Sequence, residues 1–179
     1  MKALREIGLG KALRFGFFTL AMIPYRAALV PQVRRLLLRL LGARIGPGSL
    51  LHDVRFFNLY RRGLSGLEIG AYCFLGDECL LDLAEGIRLA DHVTLAERVL
   101  VLTHTNVGYA DHPLQRLFPA SSGPVVFERG CFVGAGVTIL PGVTIGAESF
   151  VAAGSVVTTS VPPKTLVAGV PSRQVRGLD

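Results

Sequence analysis

Apolar residues return at every sixth position between residues 127 and 161 of this chain. The inward candidates are Phe127, Val133, Ile139, Ile145, Val151 and Val157. The residue four positions after each is small or β-branched, namely Cys131, Val137, Val143, Ser149, Ser155 and Val161. A six-residue period matches neither an α-helix nor simple strand alternation, and is typical of a hexapeptide β-helix repeat. Each hexapeptide therefore predicts one short strand, with its apolar residue pointing into the coil, and one corner.

The same period is present earlier in the chain. An isolated first unit begins at Ile45, and two more begin at Ile69 and Leu75. After a slip of two residues, the period resumes with units at Leu83, Leu89 and Leu95. We therefore predict a β-helical domain over residues 45–179, preceded by a basic, apolar helical segment over residues 1–44.

The helical segment allows several interpretations. Residues 15–23 form an apolar run that ends at Pro24, and residues 33–41 form a Leu- and Arg-rich helix that ends before Gly42. The apolar run is far shorter than the ~20 residues needed to cross a bilayer. The segment is either a cap on the β-helix or an interfacial helix by which residues 1–32 contact an anionic membrane surface. A secretory signal peptide is a third interpretation.

The net charge of +6 is distributed unevenly along the chain. Residues 1–44 contain nine Lys or Arg and one Glu, whereas the remainder contains ten basic and twelve acidic residues. The basic charge therefore accompanies the helical segment, and the repeats have no basic and aromatic platform of the kind that binds nucleic acid. A nucleic-acid partner is not expected.

The three cysteines occupy the small positions of the repeat. Cys73 and Cys79 are one hexapeptide apart, so they should face different sides of one coil, where no disulfide joins them. Cys131 occupies the same slot in a later unit. Their spacing is not that of a metal site, and packing in a reducing compartment is the expected role. We therefore predict a cytoplasmic protein.

These repeats resemble those of hexapeptide-repeat acyltransferases, in particular the galactoside, maltose, nodulation-factor and exopolysaccharide O-acetyltransferases. Residues 161–173 resemble the closing motif of that family. The resemblance implies an all-β fold, a left-handed parallel β-helix with three hexapeptides per coil, assembled as a homotrimer. It also implies acetyl-CoA as the acyl donor, a saccharide or glycolipid acceptor, and no metal.

Chemistry is predicted where the repeat is interrupted. Val101 begins a unit, but the period does not resume until Val125, which leaves a loop excursion over residues 105–124. Loops of this length are often functional. The resemblance implies that His104, at the start of the break, is the general base. A role as a structural corner residue is the alternative.

The resemblance also suggests residues for the two substrates. Asp82 precedes His104 by about one coil and is the predicted acceptor ligand, with Asn106 and His112 from the excursion. Corner hydrogen bonding is the alternative role for Asp82, and capping of the loop is the alternative for His112. The predicted donor residues are Gly134, Ala135, Gly136, Ala152, Ala153, Gly154, Lys164 and Arg173. The first six form side-chain-poor turns, and the two cations suit the phosphates of coenzyme A.

The predicted function is transfer of an acetyl group from acetyl-CoA to a saccharide hydroxyl by direct attack, in surface-polysaccharide or glycolipid assembly. Two other classes use this fold or architecture: a metal-dependent, carbonic-anhydrase-like hydratase and a catalytically silent trimeric scaffold. The hydratase requires three His ligands, which His92, His104 and His112 do not supply at convincing spacing. Binding of acetyl-CoA distinguishes the transferase from both.

Overall fold

The computed structural model describes residues 8–179; residues 1–7, which include the first part of the predicted helical segment, lie outside the described residues. The α-helices are α1 (Leu9–Ala21), α2 (Ile23–Ala27), α3 (Pro31–Leu40) and α4 (Leu59–Arg62). Two 3₁₀ turns span Gly63–Gly66 and Pro113–Arg116.

Three sheets of very short strands form the body of the chain. The first contains β1 (Arg44–Ile45), β4 (Leu67–Ile69), β7 (Ile87–Leu89), β12 (Val125–Phe127) and β15 (Thr144–Ile145). The second contains β2 (Leu50–Leu51), β5 (Phe74–Leu75), β8 (Thr94–Leu95), β13 (Phe132–Val133), β16 (Phe150–Val151), β18 (Thr165–Ala168) and β19 (Arg173–Gly177). The third contains β3 (Arg55–Phe57), β6 (Leu80–Asp82), β9 (Leu100–Val101), β14 (Thr138–Ile139) and β17 (Val156–Val157).

Consecutive strands of the body lie in the first, second and third sheets in turn, so the chain winds as a three-sided coil. We call this three-sided body the prism. Strands within these three sheets pair in parallel, with one exception. β19 pairs antiparallel with β18 and so covers the outer strand at the C-terminal end of the second sheet. The coil has three edges: the first joins sheets one and two, the second joins sheets two and three, and the third joins sheet three to sheet one of the next coil. This architecture confirms the predicted hexapeptide coil with parallel sheets.

The register shows where extra residues enter the coil. Ile145 pairs with Phe127, 18 positions earlier, which is three hexapeptides. Val101 pairs with Leu81, 20 positions earlier, because the two-residue slip adds to that coil. Ile139 pairs with Val101, 38 positions earlier, so the excursion adds twenty residues without shifting the repeat. Both insertions lie on the third edge.

The predicted inward residues form the core of the prism. The six apolar residues that begin the repeats from Phe127 to Val157 are each 0% exposed, and the small positions between them are also buried. Cys73, Cys79 and Cys131 are free thiols in this core. Burial raises the pKa of the Cys79 thiol to about 11. The cysteines therefore pack as small apolar side chains.

The N-terminal helices lie against the first coil. Leu38 of α3 is 0% exposed in the core, and α3 contacts β1 and β2. The hydroxyl of Tyr25 donates to the carbonyl of Val54 at 2.7 Å, and burial raises the pKa of this phenol. Helices α2 and α3 therefore cap the prism. Within residues 8–179, no helix is both long and apolar enough to cross a bilayer.

Candidate active site

Asp82 is the centre of a hydrogen-bond network on the third edge. It ends β6, and its side chain is 0% exposed. One carboxylate oxygen, Oδ1, accepts from Asn58 Nδ2 at 2.7 Å and from the backbone N–H of Ala84 at 3.0 Å. The other, Oδ2, accepts from the backbone N–H groups of Thr103 and His104 at 3.0 and 3.1 Å. Both oxygens therefore bond within the protein.

The imidazole of His104 completes this network. Its Nδ1 lies 2.5 Å from Oδ2 of Asp82. Burial by itself raises the pKa of Asp82, but the hydrogen bonds from Asn58, His104 and the backbone outweigh burial and hold that pKa below its ordinary value. An ionised carboxylate only accepts hydrogen bonds, so the proton between the two groups belongs to Nδ1. His104 Nε2 then carries the lone pair and is the nitrogen able to accept a proton.

Asp82 does not have the surroundings of an acceptor ligand. Its side chain is buried, and its oxygens are occupied by Asn58, His104 and backbone donors, so no face is left for a sugar hydroxyl. The structure therefore does not place Asp82 where the predicted acceptor role requires it, because its carboxylate hydrogen-bonds the His104 imidazole and is absent from the lining of the cleft beside His104. The sequence spacing of about one coil is consistent with this proximity, but it did not show that the two side chains contact each other directly.

Two further residues of this network, Asn58 and Thr103, had no role assigned from the sequence. Asn58 adopts a left-handed backbone conformation, with φ of 60°, which aims its amide at Asp82. The Thr103 hydroxyl donates to the Asp82 carbonyl and accepts from the backbone N–H of Glu85. Thr103 is 0% exposed and tightens the bend from which His104 emerges. Asn is enriched in left-handed positions, which was the one available signal for Asn58.

The excursion forms one wall of a cleft beside His104. Its stem is a short antiparallel pair of β10 (His104–Thr105) and β11 (Ser121–Ser122), in which His104 is opposite Ser122. The cleft has a volume of about 540 Å³. We call it the His104 cleft; it is lined by Lys11, Tyr60, Arg61, His104, Thr105, Asn106, Gly108, Tyr109, Ala120, Ser121 and Ser122.

The other two predicted acceptor ligands differ in placement. Asn106 lines the His104 cleft, and its side-chain oxygen accepts from the backbone N–H of Gly108 at 3.1 Å. His112 instead caps the 3₁₀ turn Pro113–Arg116, where its Nδ1 accepts from the backbone N–H of Leu114 at 3.2 Å. The capping alternative therefore describes His112 better than an acceptor role.

The predicted donor residues divide between two edges. The turns containing Gly134–Gly136 and 152–154 stack on the second edge, where the N–H of Gly154 donates to the carbonyl of Ala135. Arg173 follows Ser172, whose N–H donates to the carbonyl of Val156 on the same edge. Lys164 lies on the first edge, since its N–H donates to the carbonyl of Ala147. Lys164 and Arg173 therefore lie on different edges of one chain.

The remaining histidines and possible metal ligands lie apart from this site. His92 is exposed and stacks on Tyr72, with ring centroids 5.3 Å apart. His52 lies 3.4 Å from a carboxylate oxygen of Asp77. Across residues 8–179, His, Cys, Asp and Glu side chains form no group of three or more suited to a metal ion.

Sequence comparisons point to one family. Residues 124–159 match the family described as bacterial transferase hexapeptide (six repeats). The chain is 35% identical over 91 residues to the galactoside O-acetyltransferase of Escherichia coli K12, a match that covers 49% of this chain and 45% of that protein. The chain thus spans about half the length of that relative. It is also 30% identical over 151 residues to the putative colanic acid biosynthesis acetyltransferase WcaF of the same organism, covering 82% of this chain and 78% of that protein.

Solved structures give the same result over nearly the whole chain. A hexapeptide-repeat acetyltransferase from Vibrio cholerae superposes with a TM-score of 0.80 at 29% identity, covering 96% of this chain and 94% of that one. The Vibrio cholerae enzyme complexed with acetyl coenzyme A superposes with a TM-score of 0.73 at 28% identity, covering 94% and 88%. Together with the extent of the WcaF match, these similarities show that the chain belongs to the hexapeptide-repeat acetyltransferase family.

Proposed function

We propose that this protein transfers an acetyl group from acetyl-CoA to a hydroxyl of a saccharide, in surface-polysaccharide or glycolipid assembly. The observation that carries the proposal is the Asp82–His104 pair, which presents a basic imidazole nitrogen at a cleft. The named relatives support the donor and acceptor classes: one is a galactoside O-acetyltransferase, one a putative colanic acid biosynthesis enzyme, and one was solved with acetyl coenzyme A. These relatives do not favour the hydratase or silent-scaffold alternatives.

In the proposed reaction, His104 acts as the general base. Nε2 takes the proton of the acceptor hydroxyl while that oxygen attacks the thioester carbonyl carbon. The imidazolium that forms lies beside the ionised carboxylate of Asp82, which stabilises the positive charge and keeps the ring oriented. When the tetrahedral intermediate collapses, the carbon–sulfur bond breaks, and Nε2 returns the proton to the leaving thiolate. The acetyl ester and the free thiol are the products.

The second edge is the proposed donor surface. Ala135 and Ala153 are exposed at stacked turns, and Gly136 and Gly154 have open space where a Cβ would lie. A long, thin pantetheine arm fits against backbone that lacks protruding side chains. The remaining donor candidates of this edge are Gly134, Ala152 and Arg173, of which Arg173 is exposed and supplies the positive charge for phosphate.

The donor surface and His104 lie on different edges of one prism, so we propose that the complete site forms between chains of a homotrimer. The outward face of the second sheet is largely apolar and supports such an assembly. From β2 to β18 it presents Leu50, Phe74, Thr94, Phe132, Phe150 and Leu166, of which only Thr94 is polar. Phe132 and Phe150 stack with ring centroids 4.6 Å apart. In such a trimer Lys164, on the first edge, contacts the donor of a neighbouring chain. The family resemblance supports left-handed winding of the coils.

We also propose that the helical segment contacts an anionic membrane surface while it caps the prism. The residues of α1 lie outside the core, and its outward stripe follows helical spacing: Leu9, Leu13, Phe17 and Leu20 are 60–68% exposed. Arg14 lies to one side of this stripe, whereas Lys11 lines the His104 cleft on the opposite side of the helix. Apolar insertion beside basic side chains is the pattern of an interfacial helix. In this proposal, residues 1–44 form the helical segment and residues 45–179 form the β-helical domain. The protein lies peripherally at the cytoplasmic face of the membrane.

The function is tested by incubating the protein with acetyl-CoA and a panel of saccharides, and by measuring thiol release and the mass of the acetylated product. The wild-type protein should acetylate at least one saccharide, whereas His104→Ala should lower turnover by about 10²–10⁴-fold, as for other general bases. The variant should bind acetyl-CoA with nearly unchanged affinity, because in the proposed site the His104 imidazole contacts the acceptor hydroxyl and not the coenzyme A arm. Equal turnover of the two proteins would disprove the role of His104.

A further inference from the structure

A second, largely apolar groove lies beside the His104 cleft. It has a volume of about 770 Å³ and runs between the N-terminal helices and the segment 53–60. Its apolar wall includes Phe15, Phe18, Met22, Phe56, Phe57 and Leu59. We call it the helix groove. None of the proposed chemistry uses this volume, which is large enough for a chain-like apolar ligand.

The helix groove and the His104 cleft adjoin at Tyr60. This residue lines both volumes, and its ring lies edge-on to Phe15, with centroids 6.5 Å apart. Helix α1 also borders both: Lys11 lines the cleft, and Phe15, one helical turn later, lines the groove. A single ligand can therefore extend from His104 past Tyr60 and along α1.

Charge changes along this path. The described lining of the His104 cleft contains the two cations Lys11 and Arg61 and includes no carboxylate. Beyond Tyr60, the lining of the helix groove is mainly aromatic and aliphatic, although Arg26, Asp53 and Arg55 also line it. Arg55 is paired with the Asp53 carboxylate at 3.5 Å. From the cleft to the groove, the lining thus changes from polar and cationic to mainly apolar. This order matches a sugar, a phosphate and a hydrocarbon tail joined in series.

We propose that the acceptor is a saccharide joined through phosphate to a lipid, an inference that rests on the acetyltransferase function proposed above. The sugar hydroxyl lies at Nε2 of His104, the phosphate contacts Lys11 and Arg61, and the lipid tail occupies the helix groove. The apolar stripe of α1 faces away from this groove, so the same helix borders the tail on one side and meets the membrane on the other. The tail thereby enters the groove from the bilayer surface.

Binding measured without turnover tests this proposal. The His104→Ala protein is titrated calorimetrically with three probes: glucosyl farnesyl phosphate, farnesyl phosphate and glucose 1-phosphate. The first two should bind at least about 100-fold more tightly than glucose 1-phosphate, because they bury a hydrocarbon tail. Equal binding of glucose 1-phosphate and glucosyl farnesyl phosphate would overturn the assignment of the groove.

Substitutions then distinguish binding of the lipid tail from binding of the phosphate. Thr19 lines the helix groove, and its hydroxyl donates within α1 to the carbonyl of Phe15 at 2.8 Å. Thr19→Glu should weaken both farnesyl probes by about tenfold or more, because it places a charge beside the tail. Arg61→Glu should weaken all three phosphate probes. Gln32→Glu adds the same charge to the exposed start of α3 and should change none of them.

The remaining outcomes also decide the proposal. If Thr19→Glu leaves tail affinity unchanged, the groove does not hold the lipid. If it instead changes the oligomeric state seen by light scattering, a second copy of the chain covers the groove, and the lipid assignment is wrong. Because the titration requires neither acetyl-CoA nor turnover, failure of the acetyl-transfer assay with every saccharide would reject the proposed function separately from tail binding.

Discussion

Nδ1 of His104 lies 2.5 Å from Oδ2 of Asp82, although the two residues are 22 positions apart in the sequence. They meet because β6 and β9 are neighbours in the third sheet, with Leu81 opposite Val101. Asp82, which ends β6, and His104, which follows β9, therefore reach the same edge. The buried carboxylate fixes which imidazole nitrogen carries the proton, and this relationship supports the first two predictions.

Asp82→Asn should lower kcat by about 10²–10⁴-fold with little change in the KM of the acceptor. An Asn amide can donate to Nδ1 of His104, which would place the ring proton on Nε2 and remove the basic site. Steady-state kinetics with both substrates measure the effect, and thermal unfolding checks that the variant is folded. An increase in acceptor KM with unchanged kcat would instead support a direct acceptor role for Asp82. Asn106→Ala, which changes the wall of the His104 cleft, should raise the KM of the acceptor and leave kcat nearly unchanged.

Stability should depend on pH through Asp82. Its pKa is lower in the folded protein than in an unfolded chain, so the unfolded state binds the proton more readily. The carboxylate therefore contributes stability above its unfolded pKa of about 3.9, and this contribution is lost as pH falls toward the folded value. Urea unfolding of wild type and Asp82→Asn should show a difference at neutral pH that shrinks below about pH 4. A constant difference would contradict this account.

Gly134→Ala should destabilise the prism by about 1–3 kcal/mol. A Cβ at Gly134 would lie 2.6 Å from the backbone nitrogen of Ala153 in the next coil, so the stacked turns would have to separate. Gly10→Ala is the matched control. A Cβ there meets open space in α1, and the exchange should be neutral or stabilising by up to about 1 kcal/mol. Urea unfolding compares the two; equal effects would show that the turns can relax.

The trimer should depend on the outward face of the second sheet. Phe150 is 40% exposed on that face and stacks on Phe132. Phe150→Glu should yield monomers in light scattering and should reduce acetyl transfer, because burying an unpaired charge between chains is unfavourable. Val126→Glu makes a comparable change on the first sheet, beside Arg88, and should preserve the trimer. A monomeric wild-type protein would contradict both the trimer and the shared site.

Binding to vesicles should depend on the apolar stripe of α1. The double substitution Leu13→Ser with Phe17→Ser should reduce cosedimentation with anionic vesicles, and salt should weaken binding of the wild type. Leu117→Ser with Phe118→Ser is a matched control, because those residues are exposed to a similar extent on the excursion. Deletion of residues 1–31 is a poorer test, since it removes Met22 and Tyr25 from the core. Equal binding of both double variants would reject the stripe as the contact.

The sequence determined the prism because the repeat is local and regular. Each inward residue, such as Phe127 or Val133, must be buried, and a six-residue spacing leaves one strand and one corner between successive inward residues. The excursion was equally visible as a break in that period. The break pointed to His104 because the resemblance to known acetyltransferases implies a general base at a histidine in that position.

Only the tertiary structure decided how the site residues are related. Asp82 contacts His104 because neighbouring coils bring its carboxylate to the imidazole, and Asn58 reaches Asp82 through a left-handed turn that no repeat position required. The separation of Lys164 from Arg173 follows from the edges at which their turns stack. The helix groove likewise exists only because α1 folds back across segment 53–60. Repeat spacing specifies contacts between successive coils, whereas these relationships depend on irregular segments whose positions are set by packing.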